Sequence, residues 1–236
     1  MTKVKYVVDA MKVDANFNLR LNDALKLYQD VATKNVEELG CGMDKILEEY
    51  GYMWVVTRMY LEFYKAPKYL DEIYVSTYPY TVRGGFSFMR QAEIDDKDNK
   101  PLLKISSSWI LMDHLTHRMV LRPQIGMHQE SHDGALPEPG KVVKEESSLL
   151  YSRKVRYCDC DINNHLNNVR YIDMIIDIFD VEFYKENMIE TMLMNYEKEV
   201  KCGETIDIYV SDDKSYVEGR VGESTVFQCK MTFKKI

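Results

Sequence analysis

An α+β fold made of two similar halves is what this chain predicts, on three observations. A helical apolar period is followed by strand-like alternation, and that order occurs twice. Turn-forming residues punctuate both strand-rich stretches. Matching segments stand ahead of the two helices, as in an internal repeat.

In the first half, Leu25, Tyr28, Ala32, Val36 and Leu39 recur at helical spacing and predict a helix over 22–40. Asn22 suits its N-cap, and Gly40 and Gly42 suit its end. Strand-like runs follow at 53–64, 71–82, 86–95, 101–113 and 117–122. Arg83-Gly84-Gly85 and 95–99 read as turns between them. Residues 124–148 lose this periodicity and hold Gly126, Gly134, Pro137, Pro139 and Gly140, which predicts an interdomain linker. His128 and His132 stand there at i,i+4, one spacing that zinc uses. No Glu follows His128 directly, as His-Glu-x-x-His requires, and exposed linker histidines fit better.

The plan then repeats. Leu149–Tyr157 reads as a strand. Ile172, Ile176, Phe179 and Phe183 share one face of a helix over Asn168–Tyr184. Strands are expected at 191–202, 205–211, 214–221 and 224–234; Ile206, Ile208 and Val210 alternate cleanly. The expected domains are therefore 1–123 and 149–236, joined by 124–148.

Composition narrows the function classes. At 236 residues the chain suits one large domain or two of roughly 100 residues or more each, and at 45% hydrophobic and 29% charged it can bury ordinary cores. No stretch approaches the roughly 20 apolar residues that span a bilayer, so no membrane partner is expected. A net charge of −7 argues against nucleic acid. Five cysteines, an odd number, include Cys158-x-Cys160 without a second Cys or His pair at a zinc-like interval. Reduced, structural thiols in a reducing compartment are expected.

Chemistry concentrates in 157–171, Tyr-Cys-Asp-Cys-Asp-Ile-Asn-Asn-His-Leu-Asn-Asn-Val-Arg-Tyr. On an extended backbone, Asp161, Asn163 and His165 would leave from one face. An acid, a carboxamide and an imidazole would then converge just ahead of a helix, where they can accept a proton and orient water. A calcium loop opening at Asp159 would need Gly and Glu where Asn164 and Arg170 stand. A plain turn and helix cap accounts for Asn167 and Asn168 but gives Asp161 and His165 no role.

The repeat supplies an internal comparison. With Asn18 set on Asn163, Leu21 on Leu166 and Asn22 on Asn167, the first copy has Asn16 opposite Asp161 and Arg20 opposite His165. In this register only the second copy keeps a carboxylate and a group that titrates near neutrality, so one catalytic site is expected there.

Asp161-Ile-Asn163-Asn-His165-Leu-Asn167-Asn168-Val-Arg-Tyr171 resembles the signature of the acyl-ACP thioesterases, plant plastid enzymes and their bacterial relatives. Three further stretches resemble that family in the same order: Trp54-Val-Val-Thr-Arg58-Met, Ser107-Ser-Trp109 through Arg118, and Tyr196-Glu-Lys-Glu199-Val-Lys-Cys-Gly203. The resemblance covers nearly the whole chain. It implies two tandem hotdog domains, each a long helix wrapped by an antiparallel sheet. It also implies hydrolysis of a fatty acyl thioester to free fatty acid and holo-ACP, with no metal and no organic cofactor. The first domain would mainly shape the acyl pocket.

The catalytic set implied is Asp161, Asn163, His165 and Glu199. His165 or Glu199 would accept the proton of water, and both options stay open. Asn163 would hold water or the carbonyl. Asp161 would orient Asn163 or His165, or attack directly to form an acyl-enzyme. Backbone N–H groups at the start of the second helix would stabilise the oxyanion. Some family members carry a cysteine after the acidic residue, but Val200 stands here. Without the resemblance, Glu199 beside Lys198 and Lys201 reads as a solvated strand residue. Trp54 and Trp109 read as core, and Met53, Met59, Met89, Met112 and Met119 as core before acyl lining.

The partner implied is acyl carrier protein with a phosphopantetheine-linked acyl chain. That carrier is acidic, so docking on an acidic chain needs a local basic patch. An N-terminus without a signal or transit segment implies a bacterial cytoplasmic form or a trimmed chain. Monomer and homodimer both fit. Competing readings are an acyl-CoA thioesterase, a non-catalytic acyl- or carrier-binding hotdog, and a hotdog dehydratase, whose His and acid pattern differs.

Overall fold

A computed structural model describes all residues except 124, 127, 128 and 131. The predicted linker histidine His128 lies outside the described residues. The chain forms two compact units, Met1–Pro139 and Gly140–Ile236.

The first unit begins with β1 (Thr2–Val7) and a 3-10 turn at Ala10–Lys12. Two helices follow, α1 (Leu21–Glu38) and α2 (Met43–Tyr50). The remaining strands are β2 (Tyr52–Phe63), β3 (Glu72–Arg83), β4 (Ser87–Asp96) and β5 (Pro101–Asp113). All pairings are antiparallel, in the order β1-β3-β4-β5-β2. The amphipathic period of α1 buries Leu25, Tyr28, Val31 and Ala32. The Tyr28 hydroxyl, buried with them, is paired with Ser107 Oγ at 2.8 Å, as a buried polar group requires.

Three sequence expectations change in this unit. Asn22 lies inside α1, and Arg20 holds the N-cap position. Helix α2 falls where the chain was expected to loop into a strand. Only Ile46 of its eight residues is buried, joining Cys41, Phe88 and Leu111, so its apolar period is too short to recognise. The run 117–122 forms no strand; Met119 makes an isolated bridge to Met112 beyond a turn capped by Asp113.

The second unit repeats the plan with β6 (Ser148–Lys154), a 3-10 turn at Tyr157–Asp159, α3 (Asn168–Ile176) and α4 (Phe183–Glu186). Strands β7 (Asn187–Tyr196), β8 (Thr205–Val210), β9 (Tyr216–Val221) and β10 (Ser224–Lys235) follow. They pair antiparallel as β7-β10-β9-β8-β6. Helix α3 stops well before the expected Tyr184. Phe179 leaves the helical path to stack on Phe183 at 4.0 Å, and the Asp180 carboxylate accepts the Phe183 N–H at 2.8 Å to restart a short helix.

The stretch 124–148 is divided between the units. Gln91 grips Leu136 N–H and C=O at 3.1 and 3.0 Å. Beyond Pro139, Asn195 grips Val142 N–H at 2.6 Å and Gly140 C=O at 3.1 Å. His132 sits within the first unit, 3.2 Å from Glu130 and against the Tyr78 ring. No helix among the described residues is long and apolar enough to cross a membrane.

The seat of α3 depends on a missing side chain. Tyr171 on α3 meets the Phe227 ring edge-on at 5.3 Å. Phe227 pairs across the ladder with Gly219, where a Cβ would come within 2.1 Å of that ring and 3.0 Å of Ile206. Gly219→Ala is expected to cost about 1–3 kcal/mol through overpacking, read as a lower urea midpoint with an unchanged slope.

Candidate active site

The stretch from Cys160 to Leu166 is a tight reversal, which corrects the extended backbone expected from its alternation. Cys160 and Leu166 bridge, and Asp161 N–H donates to His165 C=O at 2.8 Å. The Asp161 carboxylate accepts the Asn163 and His165 N–H groups at 2.9 and 3.3 Å. Asn164 adopts φ 61°, a left-handed conformation that Asn tolerates. A short side-chain acceptor offers these amides a local partner, so the turn outcompetes a strand. Asp161 therefore faces the backbone of its own turn, and Asn163 stands exposed at the crest.

The turn aims His165 at a second segment. Leu166 N–H donates to Val200 C=O at 2.7 Å, and His165 bridges Lys201. That pairing places His165 Nδ1 3.5 Å from Glu199 Oε2, with the imidazole 13% and the carboxylate 33% exposed. Strand β7 ends at Tyr196, so Glu199 lies in the β7–β8 connection rather than on a strand. The connection is pinned: Lys201 N–H donates to Glu204 Oε2 at 2.6 Å, and Gly203 N–H to Val155 C=O at 3.0 Å.

Behind the turn, Asn167 caps α3 by accepting Val169 N–H at 3.0 Å. Asn167 C=O accepts Arg170 N–H at 2.8 Å. Two of the amides expected for the oxyanion are thus occupied, and the Asn168 N–H heads the helix.

Two residues absent from the expected set support the site. Asp159 is 3% exposed. It accepts from Arg153 at 2.8 Å and from Arg156 N–H at 3.0 Å, which anchors the approach to the turn. A lone acid, Asp159, among Arg153, Arg156 and Arg170 is the signal for it. Tyr171 is 3% exposed; burial pushes its phenol up, and the charges of Glu199 and Asp161 add to that. It remains a neutral phenol whose ring packs edge-on against Tyr196 and Phe227. Its place on the apolar face of α3 gave no such signal.

The first unit has the same turn, shifted by two residues from the sequence comparison. Asp14 N–H donates to Asn18 C=O at 2.8 Å, and its carboxylate accepts Asn16 and Asn18 N–H at 2.8 and 2.9 Å. Phe17 adopts φ 62°, Leu19 N–H donates to Pro67 C=O at 2.7 Å, and Asn18 bridges Lys68. Asp14 thus corresponds to Asp161, Asn16 to Asn163, Asn18 to His165 and Ala66 to Glu199. Both copies keep the carboxylate, contrary to the sequence register. What the second copy alone holds is the imidazole and the acid facing it.

Among the described residues, no group of three or more His, Cys, Asp or Glu is placed to hold a metal ion.

Residues 1–124 match the family model of the acyl-ACP thioesterase N-terminal domain, and 142–234 that of the C-terminal domain. The chain is 24% identical over 243 residues to oleoyl-acyl carrier protein thioesterase 1, chloroplastic, of Arabidopsis thaliana, covering 94% of this chain and 67% of that one. Oleoyl-acyl carrier protein thioesterase 2 of the same plant is 23% identical, covering 87% of this chain and 61% of its own length. The chain thus spans about three-fifths to two-thirds of these curated relatives. The crystal structure of an acyl-ACP thioesterase from Bacteroides thetaiotaomicron superposes with a TM-score of 0.88 at 23% identity, covering 98% and 97% of the two chains. The 12:0-ACP thioesterase from Umbellularia californica gives 0.83 at 16% identity, covering 99% and 97%. The shared fold is the hotdog type, and with both domain models matched in order, the chain belongs to the acyl-ACP thioesterase family.

Proposed function

We propose that the chain hydrolyses fatty acyl thioesters of acyl carrier protein to free fatty acid and holo-ACP. The observation that carries this reading is the His165–Glu199 pair at 3.5 Å, set in a frame where the first unit has Asn18 and Ala66. The same backbone holds an acid–base pair once and inert side chains once.

In this reading Nδ1 of His165, which faces Glu199, carries a proton held by the carboxylate, and Nε2 accepts the proton of water. Glu199 orients the ring and stabilises the imidazolium that forms. Water oxygen adds to the thioester carbonyl, and Asn163 at the crest and the Asn168 N–H at the head of α3 are the donors for the developing oxyanion. The C–S bond then breaks, and the imidazolium returns its proton to the departing sulfur. Water is consumed, its oxygen staying with the fatty acid, and the neutral imidazole is regenerated. Asp161 acts by holding the turn, because the first unit keeps the same carboxylate with no acid–base pair beside it.

Lys198 and Lys201 flank Glu199 and are exposed. They supply two cations among Glu197, Glu199 and Glu204 in a chain of net charge −7, and an acidic carrier would contact these lysines rather than the acids around them.

Thiol release from a panel of acyl-ACPs and matched acyl-CoAs tests the reading. His165→Ala is expected to lose about a hundred- to ten-thousand-fold in kcat, and Glu199→Gln about tenfold or more. Asn18→Ala and Arg20→Ala should stay near wild type; loss as deep as that of His165→Ala would place a working site in the first unit. Turnover confined to acyl-CoA would change the carrier assignment, and binding of acyl-ACP without turnover would make the chain a binding module.

Asp161→Asn keeps an oxygen acceptor for the turn and should retain turnover within about tenfold, whereas Asp161→Ala loses roughly 1 kcal/mol of stability as well. A dead but fully stable Asp161→Asn would return Asp161 to the chemistry. Lys198→Glu with Lys201→Glu should raise KM for acyl-ACP with little change in kcat, and the difference should shrink with added salt.

A further inference from the structure

Two cysteines that the proposed mechanism does not use stand on either side of the His165–Glu199 pair. Cys160 opens the turn that carries His165, and Cys202 follows Glu199 in the β7–β8 connection. Distant in sequence, both are tied to the peptides that end β6. Cys160 Sγ donates to Arg156 C=O at 3.5 Å, while Gly203, next to Cys202, donates its N–H to Val155 C=O at 3.0 Å. Burial, and after it the neighbouring Cys202, push the Cys160 thiol up, as two thiols brought to the same peptides would. Cys202 is exposed and Cys160 half-exposed. The corresponding positions of the first unit hold Val13 and Tyr69. The thiol pair therefore belongs to the unit with the acid–base pair.

We infer that Cys160 and Cys202 are a site of reversible disulfide formation that staples the His165 turn to the Glu199 connection. The oxidant class is a small disulfide, RSSR. The Cys202 thiolate, the more accessible, attacks one sulfur of RSSR and releases RS⁻, leaving a mixed disulfide. Cys160 loses its proton to solvent, attacks the Cys202 sulfur and releases the second RS⁻. The two protein thiols lose two electrons, RSSR gains them, and the two protons appear as RSH. Burial and the neighbouring Cys202, Asp159 and Asp161 hold the Cys160 thiol up, which suits a resolving thiol that acts by proximity rather than as the first nucleophile.

Closing this bond cross-links the segments on which His165 and Glu199 ride. Their separation then cannot widen by fraying of the short pairing between Leu166 and Val200. The inference concerns thiol chemistry and stands apart from the hydrolase reading.

The test equilibrates the reduced full chain in glutathione buffers from fully reduced to fully oxidised, followed by alkylation, intact mass and peptide mapping. The expected result is a product lighter by two hydrogens, with Cys160 and Cys202 in one cross-linked peptide and Cys158 alkylated. Its melting temperature should be raised and should fall back on reduction. Cys160→Ser and Cys202→Ser should each abolish the cross-link and the rise, and Cys158→Ser should keep both. A bridge that includes Cys158, a glutathione adduct on Cys202 that never closes, or free thiols across the whole range would overturn the inference.

Discussion

One short antiparallel pairing supports the rest of the second unit's chemistry. The Leu166 N–H bonds Val200 C=O at 2.7 Å and His165 bridges Lys201, which brings together an imidazole and a carboxylate from segments separated by α3 and β7. The pairing is brief, so it needs firm ends. On one side Asp161 collects two amides of its own turn, and on the other Glu204 and Val155 hold the connection. Each bond contributes about 0.5–1.5 kcal/mol. Together they replace the long ladder that would otherwise position two reactive groups.

The first unit carries the same pairing between Leu19 and Pro67, with the same carboxylate turn at Asp14. Repetition separates scaffold from chemistry. Features present in both units are the Asx-type turn, the left-handed crest residue and the bridge to the later connection. Features present in one are His165, Glu199 and the Cys160–Cys202 pair. A single sequence can thus distinguish what holds a loop from what uses it.

Much of the fold was legible because strong signals coincided. Helix α1 and strands β2 to β5 follow long apolar periods, and the family motifs occur in order. What was not legible rests on weak or competing physics. Helix α2 buries one side chain, so its period is invisible. Asp161, Asn163 and His165 alternate as a strand would, yet the Asp161 side chain satisfies the backbone locally and bends it. The internal register slipped because identical letters at Asn18 and Asn163 outweighed hydrogen-bond equivalence, which letters do not encode. Resemblance put His165 and Glu199 in one set, and the structure has them 3.5 Å apart; the connection that holds Glu199 could not be read, since a strand and an extended turn share one pattern.

The crest of the repeated turn has a consequence for how such a site can change. Phe17 occupies φ 62° where the second unit places Asn164 at φ 61°. A bulky residue in that region costs roughly 1–2 kcal/mol, yet the turn keeps its shape. The carboxylate clamp is therefore strong enough to ignore what the crest presents. Crest side chains are decoupled from backbone geometry, and such a loop can exchange them freely, as a socket accepts different fittings. A protein that contains this loop twice can lose chemistry from one copy, or acquire it, without rebuilding either.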